Sequence, residues 1–171
     1  MKILLPIIAL LLTLPINASE PLLSKWDETN WKDGVAYSSY TESITGIDLE
    51  IWGVESKINH SKDNQQRLYF TPFLIRNGAQ VATCNASKTD DVDNFVWKFG
   101  KQNIAMLRHC NLSSGVYVYS YTPASNQGAN YIVSLLKKAK TSISVSDSDF
   151  TITLKSVGFT KSWNNFGGNA L

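Results

Sequence analysis

The chain has two cysteines, Cys84 and Cys110, and both lie behind an N-terminal stretch built like an export signal. An even cysteine count in that context suits an oxidising compartment, so the economical expectation is one disulfide. The bridge would join the end of an apolar segment, Ala79 to Cys84, to the end of another, Ile104 to Cys110. It would enclose the acidic turn from Thr89 to Asn94. By the chain-entropy argument, a loop of this size contributes roughly 3.5 kcal/mol by restricting the unfolded state. The alternative is a pair of buried thiols.

Residues 1–18 read as a signal peptide: Lys2 supplies the positive charge, Ile3 to Leu14 the apolar run, and Ile16-Asn17-Ala18 the cleavage site. The mature chain is expected to begin near Ser19 and to be periplasmic or secreted. The apolar run is shorter than the roughly 20 residues that cross a bilayer, and Pro6 interrupts it. No stable membrane span is therefore expected after cleavage. Residues 19–171 have the length of one domain. The chain carries 16 basic and 14 acidic residues, a balance without the concentrated basic face that nucleic acid requires. Asn59, Asn85 and Asn111 each open an Asn-x-Ser tripeptide, a glycan acceptor pattern that matters only in a eukaryotic source.

Along the mature chain, residues 19–33 read as a polar arm that docks through Trp26 and Trp31. Val35 to Thr41 is a first strand. Ile47 to Ile51 alternates strictly, which predicts Ile47, Leu49 and Ile51 in the core and Asp48 and Glu50 in water. Trp52-Gly53 is expected to end or bulge this strand, and residues 55–66 read as a polar loop. Arg67 to Ile75 resumes as a strand in which Pro72 points to an edge or a bulge. Asn77-Gly78 supplies the two positive-φ positions of a type I′ hairpin leading to the strand that ends at Cys84. Phe95 to Phe99, Asn103 to His109 and Val116 to Tyr121 are further strands. After a loop over 122–128, Ile132, Leu135, Leu136 and Ala139 have helical spacing. Ser142 to Val145 and Phe150 to Leu154 form a second hairpin. Phe159, Trp163 and Phe166 mark one face of a last short helix before Gly167-Gly168. The pattern predicts a mainly β fold, an antiparallel β-sandwich or barrel-like domain with two short helices near the C-terminus.

Candidate chemistry is sparse. Nucleophilic catalysis needs a base beside the nucleophile, and the two imidazoles are His60, in the polar loop with Ser56, Ser61 and Asp63, and His109, next to a disulfide cysteine. No Gly-x-Ser-x-Gly elbow is present. Asp90, Asp91, Asp93 and Asn94 offer hard oxygens but lack the spacing and closing Glu of a calcium loop. Carboxylates such as Glu50 with Glu55, or Asp147 with Asp149, do not single themselves out as a glycosidase pair. No cofactor, metal or enzymatic activity is implied. Aromatic rows are the better signal: Phe95, Trp97 and Phe99 share one strand face and are expected in the core, and Tyr117, Tyr119 and Tyr121 share another. Valine is the easier residue to bury, having no hydroxyl to satisfy, so Val116 and Val118 are expected inside and the tyrosines outside as a binding row.

The segment running from Leu135-Leu136-Lys137-Lys138-Ala139-Lys140, through two strands, to Leu154-Lys155-Ser156-Val157-Gly158-Phe159-Thr160-Lys161-Ser162-Trp163 resembles the C-terminal end of the invasion-associated locus B family of exported bacterial proteins. In this chain Ser156-Val157 separates the Leu-Lys and Gly-Phe pairs. The resemblance implies a bacterial envelope protein of β-rich fold and transfers no catalytic residue. The reading is therefore an exported envelope or secreted β-domain that binds another macromolecule, a protein or surface glycan of the cell envelope or host, without catalysis. The alternative is an exported hydrolase, or an inhibitor of one, acting on cell-wall or surface polysaccharide.

Overall fold

Period-two alternation continues through most of the chain, and the computed structural model shows it as one antiparallel sheet. The structure describes residues 29–43, 49–89, 92–148 and 150–167. The signal peptide, Trp26, Ile47, Asp48, Asp90, Asp91, Asp149 and Gly168 lie outside them. The strands are β1 (Val35–Ser43), β2 (Leu49–His60), β3 (Gln66–Arg76), β4 (Ala79–Gln80), β5 (Val92–Phe99), β6 (Gln102–Ser113), β7 (Val116–Pro123), β8 (Ser142–Ser146) and β9 (Thr151–Lys155). Their order across the sheet is β1-β2-β3-β7-β6-β5-β8-β9, with β4 beside β3. The two ends of this order meet. Lys155 of β9 donates its backbone N–H to Ser38 Oγ of β1 at 3.2 Å, and Trp31 Nε1 donates to the Lys155 carbonyl at 2.7 Å. The result is a nearly closed, barrel-like sheet with two short helices near the C-terminus, as the alternation predicts.

The interior is filled by large side chains from alternate positions. Trp97 and Phe99 of β5 and Phe70 of β3 are fully buried and lie within about 6 Å of one another, centroid to centroid. Helix α1 (Asn126–Lys138) adds Ile132 and Leu136 to this cluster, and α2 (Phe159–Asn165) adds Phe159. Ser125 caps α1, its hydroxyl accepting the Gly128 N–H at 3.1 Å. The cap lies inside the segment 122–128 read as loop, so the helix starts earlier than the apolar spacing indicates. Of the arm's two tryptophans, Trp31 is buried and its ring meets Phe159 edge-on at 4.9 Å.

Three local expectations are corrected. Trp52-Gly53 does not end a strand, and 55–66 is not a polar loop: β2 runs unbroken to His60 and pairs with β3 from Glu50↔Arg76 to His60↔Gln66. Glu50 does not face water. It is 6% exposed and ion-paired with Arg76 at 2.5 Å. The strand expected to end at Cys84 is only the two-residue β4, after which Val81 still bonds the Leu74 carbonyl of β3 before Thr83 turns to Tyr117. The Asn77-Gly78 turn is as expected, with φ of 51° and 76°. Pro72 lies within β3 between its pairing with β7 at Phe70 and with β4 at Ile75, where neither neighbour needs its missing N–H.

Candidate binding face

Along β6, the inward positions Ile104, Met106 and Cys110 are buried and apolar, and one cation interrupts them, Arg108. Register places Asp93 of β5 and Tyr121 of β7 on either side of Arg108, with Tyr119 beside Cys110. The Arg108 guanidinium carbon sits 4.1 Å from the Phe95 ring centroid and 4.0 Å from that of Tyr119. Its Nη2 donates to Asp93 Oδ2 at 2.5 Å. A guanidinium between two rings is stabilised by both quadrupoles, each contact contributing about 0.5–1 kcal/mol where solvent reaches it. Burial works against the cation, but hydrogen bonds to Asp93 and Tyr121 and the nearby tyrosines outweigh it and hold the Arg108 pKa above its ordinary value. The side chain keeps 21% of its exposure, so this is a cation fixed in place and still reachable.

The strands beneath it are held from both edges. Cys84 and Cys110 form the expected disulfide, with Cα atoms 6.0 Å apart. The segment ending at Cys84 is thereby tied against β7. Thr83 donates its N–H to the Tyr117 carbonyl at 3.0 Å and accepts the Tyr119 N–H on Oγ1 at 2.8 Å. Within the disulfide loop, Asn85 caps a single 3₁₀ turn, Ala86–Lys88, by accepting the Ser87 N–H at 3.1 Å.

The tyrosines do not form one outward row. Their face lines the barrel, because Tyr121 pairs with Phe70 across β3 and its ring lies 4.6 Å from that of Trp97. Burial pushes the Tyr121 pKa up, against the opposing pull of Arg108. Tyr121 thus packs on the core, whereas Tyr119 and Tyr117 stay half-exposed, Tyr117 opposite the exposed Leu112. Val118, on the opposite face of β7, is buried as well. Both faces of β7 therefore pack, and no single face of it is the core. Of the Phe95-Trp97-Phe99 set, Trp97 and Phe99 are core as expected, and Phe95 is half-buried with Arg108 over its ring.

Other candidate groups do not converge. The His60 ring packs against Phe166 at 5.2 Å, while the Ser61 hydroxyl is engaged by Asp63 and by the Gln65 carbonyl. His109 is half-buried, and desolvation with the charge of Lys62 lowers its pKa. Glu50 and Glu55 are an odd number of residues apart in β2 and so leave opposite faces of the sheet. Glu55 instead accepts the Tyr37 hydroxyl at 3.1 Å, in a cleft bordered by Thr71, Phe73, Gln80, Ser113 and Ser114. A cleft of about 490 Å³ between Trp31, Asp33, Lys161 and Phe166 also holds a single carboxylate. Among the described residues, no three His, Cys, Asp or Glu side chains gather as metal ligands. Nor is any described helix long and apolar enough to cross a membrane.

Arg108 is the residue that reading the sequence missed. Its signal was present: a lone cation at an inward position of a strand whose other inward positions are apolar is either paired or functional. No protein family, no curated protein and no solved structure matches this chain significantly.

Proposed function

We propose that the protein is an exported envelope or secreted β-domain that binds another macromolecule through the half-exposed face formed by Phe95, Arg108 and Tyr119, without catalysing a reaction. The export signal, the disulfide and the resemblance to exported bacterial proteins support the compartment. The observation that carries the binding reading is the Phe95–Arg108–Tyr119 stack, with both rings near 4 Å from the guanidinium. Arginine and tyrosine are the residue types that dominate interface hot spots, and here they are held rigid by a ladder on each side and a disulfide. A partner therefore meets them with little ordering cost.

The test is affinity capture from envelope extract with the mature protein and its Tyr119→Ala variant, read by quantitative mass spectrometry. Tyr119 is half-exposed, so the variant should lose only about 1 kcal/mol of stability while the partner enriched by the wild type is lost. A folded Tyr119→Ala protein that captures the same partner equally well would remove this face from the binding reading.

A further inference from the structure

Among the described residues, the outer edge of β5 pairs with another strand over only two residues. Other edges are met at least in part by a neighbouring segment. β1 and β9 meet through Trp31 and Ser38, the end of β7 is covered by Thr83, and β4 is only two residues long. β5 differs. One side pairs with β6 along its whole length, from Val92↔His109 to Phe99↔Gln102. On its other side β8 pairs only at Lys98↔Ser146 and Phe99↔Val145.

Which backbone groups are left over follows from the turn. The β5–β6 hairpin closes with the two residues Gly100 and Lys101 between the paired Phe99 and Gln102. A two-residue hairpin makes the closing pair hydrogen-bonded, so Phe99, Trp97, Phe95 and Asp93 point their N–H and C=O groups at β6. Lys98, Val96, Asn94 and Val92 then point away from it. The bond from the Gly100 N–H to the Ser144 carbonyl at 2.8 Å, on the β8 side, fits the same parity. Lys98 faces β8, and Val92, Asn94 and Val96 face no described strand. Their side chains are exposed too, Val92 at 53% and Val96 at 59%. Folded proteins usually blunt such an edge with Lys, Pro, a bulge or a covering segment. These three positions carry none of them.

We propose that a second copy of this chain pairs with β5, antiparallel, about a two-fold axis at Asn94. The spacing is self-complementary. With Asn94 opposite its own copy, Val92 falls opposite Val96 of the other chain and Val96 opposite its Val92. Every outward N–H and C=O of the three residues gains a partner, and the exposed valines meet as cross-strand pairs on one face. The two Asn94 amides face each other and can hydrogen-bond. This isologous contact joins the two sheets into one continuous sheet. It uses the β5 edge and not the Tyr119 ring, so it stands apart from the binding reading above.

Sedimentation equilibrium of the mature protein, with amide exchange of the same samples, tests it. The wild type should be a dimer whose Val92, Asn94 and Val96 amides exchange more slowly as concentration rises. Asn94→Pro removes an N–H that no intrachain strand uses, and Val96→Lys sets a charge at the contact. Each should weaken the dimer about tenfold or more, with the circular dichroism of the fold retained. Tyr119→Ala should leave the dimer intact, which separates failure here from failure of the binding face. A wild type that stays monomeric overturns the proposal. So does a dimer that survives both Asn94→Pro and Val96→Lys. If Asn94→Pro fails to fold, Val96→Lys decides alone.

Discussion

Tyr37 stands opposite Glu55 in the β1–β2 ladder, and its hydroxyl donates to Glu55 Oε2 at 3.1 Å. Burial first, then the charge of Glu55 and the hydrogen bond to it, push its pKa from 10.0 up to about 12. The folded state therefore holds this proton more tightly than the unfolded chain does. Below pH 10 both states are protonated and Tyr37 adds no pH dependence. From pH 10 to about 12 the unfolded chain releases the proton first, so stability falls as pH rises. Tyr37→Phe should flatten that part of the stability profile, seen as a smaller loss of urea midpoint between pH 9.5 and 11.5 on the order of the window set by this linkage. Equal slopes in the two proteins would show that the fold does not raise the Tyr37 pKa. His109 carries the opposite sign: its lowered pKa favours the neutral imidazole in the fold, so acidification through its ordinary value costs stability.

At the scale of the element, β2 shows both what the alternation revealed and what it concealed. The hairpins at Asn77-Gly78 and between β8 and β9, the aromatic core of β5 and the helical spacing of α1 and α2 could all be read, because in each the apolar residues recur at one period. β2 has the same period, but Ser56, 2% exposed, occupies an inward position between Val54 and Ile58, where a hydroxyl disguises the pattern as loop. Gly53 added to the disguise, because glycine in a strand signals a break unless another group needs its space. Here Phe73 does. A Cβ at Gly53 would fall 2.3 Å from Phe73 Cζ and 2.6 Å from the Ser38 carbonyl oxygen. Gly53→Ala should therefore destabilise by about 1–3 kcal/mol through overpacking, measured by urea denaturation. A neutral result would mean that Phe73 does not lie across β2 at this point. The candidate site was less legible than the fold for a related reason. Tyr119 could be seen in the sequence, but Arg108 acquires its meaning only when register brings Phe95, Asp93 and Tyr119 around it from two other strands.

At the scale of the whole molecule, closure of the sheet depends on a residue outside it. The C-terminal hairpin β8–β9 joins the rest of the ladder through only two residue pairs with β5. Its far edge meets β1 at Ser38 and is held there by Trp31, whose Nε1 reaches the Lys155 carbonyl at 2.7 Å and whose backbone N–H reaches the Val157 carbonyl at 2.9 Å. The same ring packs on Phe159, so one side chain holds the end of β9 and the start of α2 against β1. Elements with few ladder bonds open at lower free energy than the long pairs of β2 with β3. Trp31→Ala should thus cost about 3–5 kcal/mol, and the cost should be unevenly distributed. In native-state hydrogen exchange, the β8 and β9 amides should lose more protection than those of β2 and β3, as the seam opens without global unfolding. A uniform loss across all strands would instead mean that the barrel unfolds as a single unit, and that Trp31 stabilises the whole core rather than its closing seam.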